Sequence, residues 1–181
     1  MKSMMWTCMF VAVTALLVTG CATTPRTAEG KTELNSKVQS AIDNATKSDP
    51  GLKKFFDEAV GYAVFPTVGK GAIGVGGAYG RGELYEGGQL DGYCTLTQAS
   101  IGLALGGQAY TELIFFETKA ALDRFRSGSF AFAAQASAVA LKSGASANAK
   151  YTDGVAVFTI GEAGLMYEAS VGGQKFSYQP K

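Results

Sequence analysis

The stretch over residues 61–82 constrains this chain most, because it alternates small residues along a segment with the pattern of a β-strand. It opens with an apolar strand at residues 62–65, which is predicted to stop at Pro66. Glycine or alanine then occupies positions 72, 74, 76, 78 and 80, so one face of the strand is almost bare of side chains. Another sheet or helix, a ligand or a lipid must therefore approach that face closely.

The N-terminus has the composition of a targeting segment. Lys2 precedes an apolar run over residues 4–18, which is too short for a comfortable membrane span but has the length of a secretory h-region. Residues 1–20 are therefore predicted to be a signal peptide.

The residues that follow predict a lipid anchor. Val18-Thr19-Gly20-Cys21 resembles the bacterial lipobox, in which cleavage leaves a lipidated cysteine at the new N-terminus. Cys21 is then the lipidation site, residues 21–30 are a flexible polar tether, and residues 31–181 form the folded domain. The lipobox resemblance, with Ala22 after the cysteine, implies an outer-membrane location in the cell envelope, facing the periplasm or the cell surface.

Composition excludes several classes of function. The chain contains no histidine, which removes His-dependent triads, imidazole bases and most zinc sites. Cys94 is the only cysteine after Cys21, so no disulfide is expected in the domain and Cys94 is interpreted as a small buried hydrophobe. Without Lys2, the 16 basic residues fall to 15 and equal the 15 acidic ones, so no attraction of the whole domain to nucleic acid is expected.

Helical periodicity predicts three helices. The first covers residues 31–47, and the second runs to about residue 60 with Asp49 as its N-cap and Pro50 in its first position. The third covers residues 118–127, with Thr118 as its cap, and ends at Gly128.

The rest of the domain has the period-2 pattern of strands. Residues 130–141 are predicted to form a strand, and residues 143–150 are predicted to form an exposed turn. The last third of the chain is predicted to form two or three strands joined by glycine turns. The segment 100–107 repeats the alternation of small and large residues, which makes tight sheet packing the leading explanation for both glycine-rich segments. Before the third helix, a meander is predicted from strands at 62–65, 72–80, 82–86, 91–97, 100–106 and 109–116. The fold class is α+β, mainly antiparallel β in a small sandwich or barrel-like sheet, with two N-terminal helices and one central helix.

The candidate binding residues are basic. Lys53 and Lys54 on the second helix, with Lys70 and Arg81 on either side of the glycine strand, can form a cationic patch for phosphate or lipid headgroups. Solvated faces and strand ends explain the same four charges equally well. The string Gly69-Lys70-Gly71-Ala72-Ile73-Gly74 matches a dinucleotide fingerprint in letters only, because the glycine-rich residues after it are poor helix formers.

Several long motifs closely resemble the SYLF domain family, also called the yeast actin-binding (YAB) family, in its bacterial lipoprotein branch. They span about residues 31–178 in order: GYAVFP, VGKGAIGVGGAYGRGELY, GYCTLTQASIGLALGGQAYTELIFF, ALDRFRSGSF, GVAVF and GLMYEASVGGQKFSY.

The resemblance implies a lipid-binding module without catalytic residues or cofactor. Eukaryotic members bind phosphoinositides, and some bind and bundle actin; a periplasmic lipoprotein would meet no actin, so another anionic phospholipid or a host lipid is the expected partner. The alternative is an envelope scaffold or stress protein that contacts other proteins through a sheet edge or the face of the first helix.

Overall fold

The computed structural model of the chain describes Pro25 and residues 27–73, 75–101, 106–128, 137–161, 169–170 and 173–181. The predicted signal peptide and Cys21 lie outside these residues. The helices are α1 (Ala28–Ser48), α2 (Leu52–Glu58), α3 (Lys119–Arg126) and a short 3-10 helix at Ala145–Asn148. The strands are β1 (Gly61–Ile73), β2 (Val75–Glu86), β3 (Gln89–Ile101), β4 (Gly106–Phe116), β5 (Ser137–Ala140), β6 (Val155–Gly161), β7 (Ala169–Ser170) and β8 (Gln174–Pro180).

Helix α1 begins three residues earlier than predicted. The Thr27 side chain accepts a hydrogen bond from the backbone N–H of Gly30 at 3.1 Å, which satisfies one of the free donors of the first turn. Residues 28–30 therefore belong to the helix and not to the tether. The buried stripe of α1 consists of Leu34, Val38, Ala41 and Ala45.

The prediction that Asp49 caps α2 was wrong. The helix begins at Leu52 after Gly51, and the Asp49 carboxylate accepts from the backbone N–H groups of Gly51 at 3.0 Å and Ser146 at 2.7 Å. Asp49 thus joins the α1–α2 connection to the 3-10 helix. Because Ser146 is buried there, the predicted exposed turn over residues 143–150 is exposed only in part.

Within the described residues, the sheet has eight strands in the order β7-β5-β6-β4-β1-β2-β3-β8. The pairs are antiparallel except β5 with β6. Strands β1 to β3 form the predicted meander, but β4 lies on the other side of β1 instead of beside β3. Strand β1 is apolar on both faces, with Ala63 and Phe65 on one and Val64 on the other, which suits a strand that has a neighbour on each side.

Strand β1 does not stop at Pro66, so that prediction was wrong. The pairing of β1 with both neighbours shifts between residues 64 and 68, and this irregularity accommodates the proline, which cannot donate to a ladder. The carbonyl of Pro66 accepts from the Thr111 hydroxyl at 2.8 Å. The predicted strand 72–80 was also wrong, because residues 72 and 73 end β1 while residues 75–80 begin β2. Residues 75–80 and the predicted strand 82–86 form the single strand β2.

Two further predictions fall partly outside the described residues. Of the predicted strand at 100–106, the described parts are the end of β3 and the start of β4, and residues 102–105 lie outside. Of residues 130–141, Ser137–Ala140 forms strand β5 as predicted, and residues 130–136 lie outside.

The sheet curls strongly, as the prediction of a barrel-like sheet required. Four strand spacings separate β4 from β8, which is about 19 Å in a flat sheet. The Nε2 of Gln174 on β8 nevertheless donates to Oε2 of Glu112 on β4 at 2.9 Å. The rings of Phe65 and Phe176 also meet, at 5.8 Å between centroids, although two strands separate them. The interior of the domain is therefore the concave face of one curved sheet.

Each face of the sheet has its own hydrophobic cluster. Helix α3 packs Leu122 and Phe125 into the cluster on the concave face, and its predicted cap is confirmed, since Thr118 Oγ1 accepts from the N–H of Ala121 at 3.2 Å. Helices α1 and α2 cover the convex face, where Phe55 packs against Phe115 and Phe158. This arrangement confirms the α+β class.

Candidate functional site

The two lysines of α2 do not present a free cationic surface. Lys53 Nζ lies 3.1 Å from a carboxylate oxygen of Asp57, one helical turn away. Lys54 lines a cavity of about 420 Å³ whose wall also carries the carboxylates of Glu58 and Glu117. Both lysines thus lie next to negative charge.

Lys70 and Arg81 lie at the other end of the same region of sheet, but on opposite faces. Lys70 pairs across the ladder with Ala78, a member of the concave cluster, so Lys70 belongs to the concave face. Arg81 is exposed and alternates along β2 with Gly80 and Gly82, which places it on the convex face. Neither residue has an ion-pair partner among the described residues.

The structure does not gather the four predicted cations into one patch. Helix α2 contacts the start of β1, where Phe56 and Tyr62 meet edge to face at 5.0 Å. Lys70 is eight residues further along β1, which corresponds to about 26 Å of strand. The predicted set therefore divides into a pair on α2 and a pair towards the far end of the sheet.

The bare side of the glycine strand faces the interior. A Cβ atom at Gly80 would lie 2.9 Å from Cγ2 of Val68, and one at Gly82 would overlap the carbonyl oxygen of Val64 and lie 2.8 Å from the ring of Phe65. The space that a side chain would need is thus filled by strand β1. For these two positions, tight sheet packing explains the glycines and no ligand is required.

A buried polar cluster lies on the concave face. Glu112 and Gln174 are fully buried, and Gln174 donates to Glu112 and, at 3.4 Å, to the hydroxyl of Tyr110. Burial raises the pKa of Glu112 to about 8, although hydrogen bonds from Gln174 and Tyr110 act in the opposite direction. The second carboxylate oxygen of Glu112 has no partner among the described residues. Burial therefore favours the protonated form of Glu112.

A second buried carboxylate lies under α1 on the convex face. Glu83 accepts from the Tyr85 hydroxyl at 2.6 Å and from Asn35 Nδ2 at 3.0 Å. Gln39 Nε2 in turn donates to the Tyr85 hydroxyl at 3.1 Å. These bonds fix α1 across the sheet, so Glu83 has a structural explanation.

The remaining groups offer little chemistry. Burial raises the pKa of the Cys94 thiol, and Cys94 is fully buried, which confirms its interpretation as part of the core.

Within the described ranges, no group of three or more Asp, Glu, Cys or His side chains is placed to hold a metal ion. None of the helices described combines the length and apolar character needed to cross a bilayer.

Two exposed residues near Arg81 were missed by the sequence analysis. The position of Tyr79 beside Arg81 was predictable from the alternation along β2, which places residues 79 and 81 on the same face. Lys175 does not follow from any local pattern, because it comes next to Thr97 and Tyr79 only through the pairing of β8 with β3.

Two comparisons with known proteins bear on the family of this chain. Residues 97–180 match the family model of Ysc84, the Las17-binding protein actin regulator. The chain is also 32% identical over 156 residues to Beta cell expansion factor A of Aeromonas veronii, in an alignment that covers 84% of this chain and 59% of that protein. The chain thus spans about three fifths of the length of this curated relative. It carries a domain of the Ysc84, or SYLF, family, as its motifs predicted.

Proposed function

We propose that this chain is a bacterial lipoprotein whose SYLF domain binds anionic phospholipid without catalysing a reaction. The observation that supports this proposal is the position of Lys70 and Arg81 beside strand ends that carry no charge. Residues 71–73, 75–78, 99–101 and 106–108 contain no Asp, Glu, Lys or Arg, and the ladder pairs Ala72 with Gly106 and Gly76 with Ser100. Cations next to an uncharged apolar segment are the arrangement expected at the boundary between headgroups and acyl chains.

The predicted anchor at Cys21 is compatible with this orientation. Helix α1 starts close to β3, where Lys31 Nζ lies 5.2 Å from the ring centroid of Tyr93. Six peptide units from Cys21 to Thr27 extend at most about 20 Å. The six residues from Tyr93 to Ala99 cover about the same distance along β3. An acyl chain on Cys21 and the uncharged strand ends are therefore able to reach one bilayer.

The proposal assigns the lipid contact to Lys70 and Arg81 and not to Lys53 and Lys54. The reason is electrostatic, since Lys53 is paired with Asp57 and Lys54 has two carboxylates in its cavity. If the double variant Lys53→Glu, Lys54→Glu loses lipid binding, this assignment is wrong and the lysines of α2 are the lipid-binding residues.

The test is vesicle co-sedimentation with a fragment that begins at Pro25. Both hydrophobic clusters take all their members from residues 34–178, so this fragment keeps the complete described core while lacking the anchor. We expect binding to vesicles of phosphatidylethanolamine and phosphatidylglycerol at a ratio of about 3:1, weakening as salt rises, and little binding to phosphatidylcholine. Equal binding to both vesicle types, or no binding, contradicts the proposal.

A further inference from the structure

Three exposed side chains share the convex face near the uncharged strand ends. Tyr79 pairs with Thr97 of β3, and Thr97 pairs with Lys175 of β8, so these residues form one row across three strands. Arg81 is two residues along β2 on the same face, and its Nε donates to the Tyr79 hydroxyl at 3.0 Å. We call Tyr79, Arg81 and Lys175 the tyrosine patch.

The tyrosine patch combines an aromatic ring with unpaired positive charge. Tyr79 is 37% exposed and is the only exposed large hydrophobic residue in the described part of the chain. Its bond to Arg81 Nε orients the guanidinium group, whose two terminal nitrogens make no hydrogen bond with another described residue. An oriented guanidinium with free terminal nitrogens can hold a phosphate through two parallel hydrogen bonds.

No described carboxylate competes for these cations. Glu83 is the next residue along β2 on this face, but it is fully buried and holds hydrogen bonds from Tyr85 and Asn35. Glu33 on α1 lies 2.7 Å from Lys37 and is paired there. The tyrosine patch therefore attracts anions.

Beyond the tyrosine patch, the sheet continues without charge. Gly77 pairs with Ala99 and Val75 with Ile101, so β2 and β3 extend past Tyr79 for several residues that carry no ionisable side chain. Gly77 and Ala99 are exposed. A soluble surface is normally rich in charge, so exposed positions in an uncharged segment are typical of contact with an apolar phase.

We infer that the domain docks end-on to an anionic bilayer, with the tyrosine patch in the phosphate layer and the uncharged strand ends towards the acyl chains. This inference rests on the proposed function and adds to it the contact surface and the orientation. Arg81 and Lys175 bind lipid phosphates, and the Tyr79 ring occupies the interface, where tyrosine is enriched in membrane proteins.

The test compares two charge-reversal variants of the fragment that begins at Pro25. The patch variant is Arg81→Glu, Lys175→Glu. The control is Lys150→Glu, Lys181→Glu, which changes net charge equally at the opposite end of the sheet, near Tyr151 and Leu90. On vesicles of phosphatidylethanolamine and phosphatidylglycerol, we expect the patch variant to bind about tenfold more weakly or worse, and the control to stay within about twofold of the parent.

A depth measurement checks the orientation independently of charge. Trp6 lies outside the fragment, so Tyr79→Trp introduces a single tryptophan. Its fluorescence should be quenched by brominated lipid in bound fragment. Phe56→Trp, near Tyr62 at the other end of β1, should not be quenched. Thermal unfolding of each variant confirms that it is folded, and the milder pair Arg81→Gln, Lys175→Gln replaces the patch variant if it is not.

The outcomes of these two experiments distinguish a wrong docking surface from an absence of lipid binding. If the parent binds anionic vesicles and the patch variant binds equally well, the docking surface and the assignment of the lipid contact to Arg81 are both wrong, while lipid binding by the domain stands. Quenching at position 56 without quenching at position 79 overturns the orientation in the same way. If the parent binds no vesicles, the proposed function and this inference fail together.

Discussion

The two ends of the curled sheet differ in how they use charge. At the charged end, Arg126 of α3 holds a carboxylate oxygen of Glu86 at 2.6 Å and one of Asp91 at 2.7 Å. The Tyr178 hydroxyl donates to Asp91 at 2.7 Å as well. At the uncharged end, the described residues 71–73, 75–78, 99–101 and 106–108 contain no ionisable side chain. The same strands thus run from an ion-pair network to an apolar edge.

This difference separates stability from binding. Arg126 joins α3 to the β2–β3 connection and, through Tyr178, to the β8 strand, so the charged end fixes the concave cluster below it. The uncharged end has no such network among the described residues. Lys70 and Arg81, which form no ion pair there, lie on β1 and β2 next to the uncharged residues. We expect substitutions at the charged end to change the free energy of unfolding, and those at the uncharged end to change binding.

The largest effect on stability should come from a substitution at Gly61 of β1. Gly69, further along the same strand towards the uncharged end, serves as its comparison. A Cβ at Gly61 would lie 2.6 Å from the carbonyl oxygen of Tyr85 and 3.1 Å from a methyl of Leu122. At Gly69 the nearest atom would be 4.0 Å away. Gly61→Ala should therefore lower the free energy of unfolding by about 4 kcal/mol, and Gly69→Ala by less than about 1 kcal/mol. Urea denaturation measures both; equal losses would remove the contrast between the ends.

The second prediction concerns pH and the buried carboxyl group on the concave face. In the unfolded chain Glu112 loses its proton near pH 4.5, but in the folded domain its pKa is about 8. The folded state therefore binds more protons across this window, and stability should fall as pH rises, by about 1.4 kcal/mol per pH unit. Between pH 5.5 and 7.5 the loss should be about 3 kcal/mol.

Glu112→Gln should remove most of that slope and leave the domain more stable than the parent at pH 8, because the amide does not ionise. The exposed Glu117→Gln is the matched control and should keep the slope of the parent. A parent whose stability is flat from pH 5 to 8 would show that Glu112 is ionised in the fold, with a donor bound to its second oxygen.

Local patterns in the sequence predicted the helices and most strand positions. The apolar stripe of α1 and the Thr118 cap are properties of neighbouring residues, and these features appear as expected. The extension of β1 through Pro66 was missed because it depends on a shift in pairing with both neighbouring strands. The Asp49 side chain bonds to Ser146, 97 residues away, so the preference of aspartate for a helix cap was overridden by a distant contact.

The candidate site shows the same limit. The sequence identified Lys70 and Arg81, but their location on opposite faces depends on which ladder partners they acquire, and the predicted break at Pro66 concealed that register. Lys175 joins Tyr79 only through the β3–β8 pair, which connects strands more than seventy residues apart. Nonlocal pairing of this kind has no signal in a single sequence.

The third prediction removes the network at the charged end. Arg126→Ala removes both ion pairs and leaves Glu86 with Lys119 at 3.4 Å and Asp91 with the Tyr178 hydroxyl at 2.7 Å, so the free energy of unfolding should fall by about 2 kcal/mol at pH 7. The hydrogen bond from Arg126 lowers the pKa of Glu86, and this contribution is lost as pH falls through that lowered value. The variant should therefore lose less stability than the parent on acidification, while vesicle binding stays unchanged. A large loss of binding would show that the two ends are coupled.

The smallest effect should come from the exposed pair on α2. Lys53 and Asp57 are separated by one helical turn, and their side chains are 73% and 61% exposed, so solvent screens their attraction. Lys53→Ala should lower the free energy of unfolding by about 0.5 kcal/mol or less, against about 2 kcal/mol for Arg126→Ala. Both variants remove an ion-pairing cation from a helix, but Arg126 is less exposed and holds two carboxylates where Lys53 holds one, so burial and the number of partners both contribute to the difference. If denaturation gives equal losses for the two variants, the network at the charged end is no stronger than a surface ion pair, and α3 is held by apolar contacts alone.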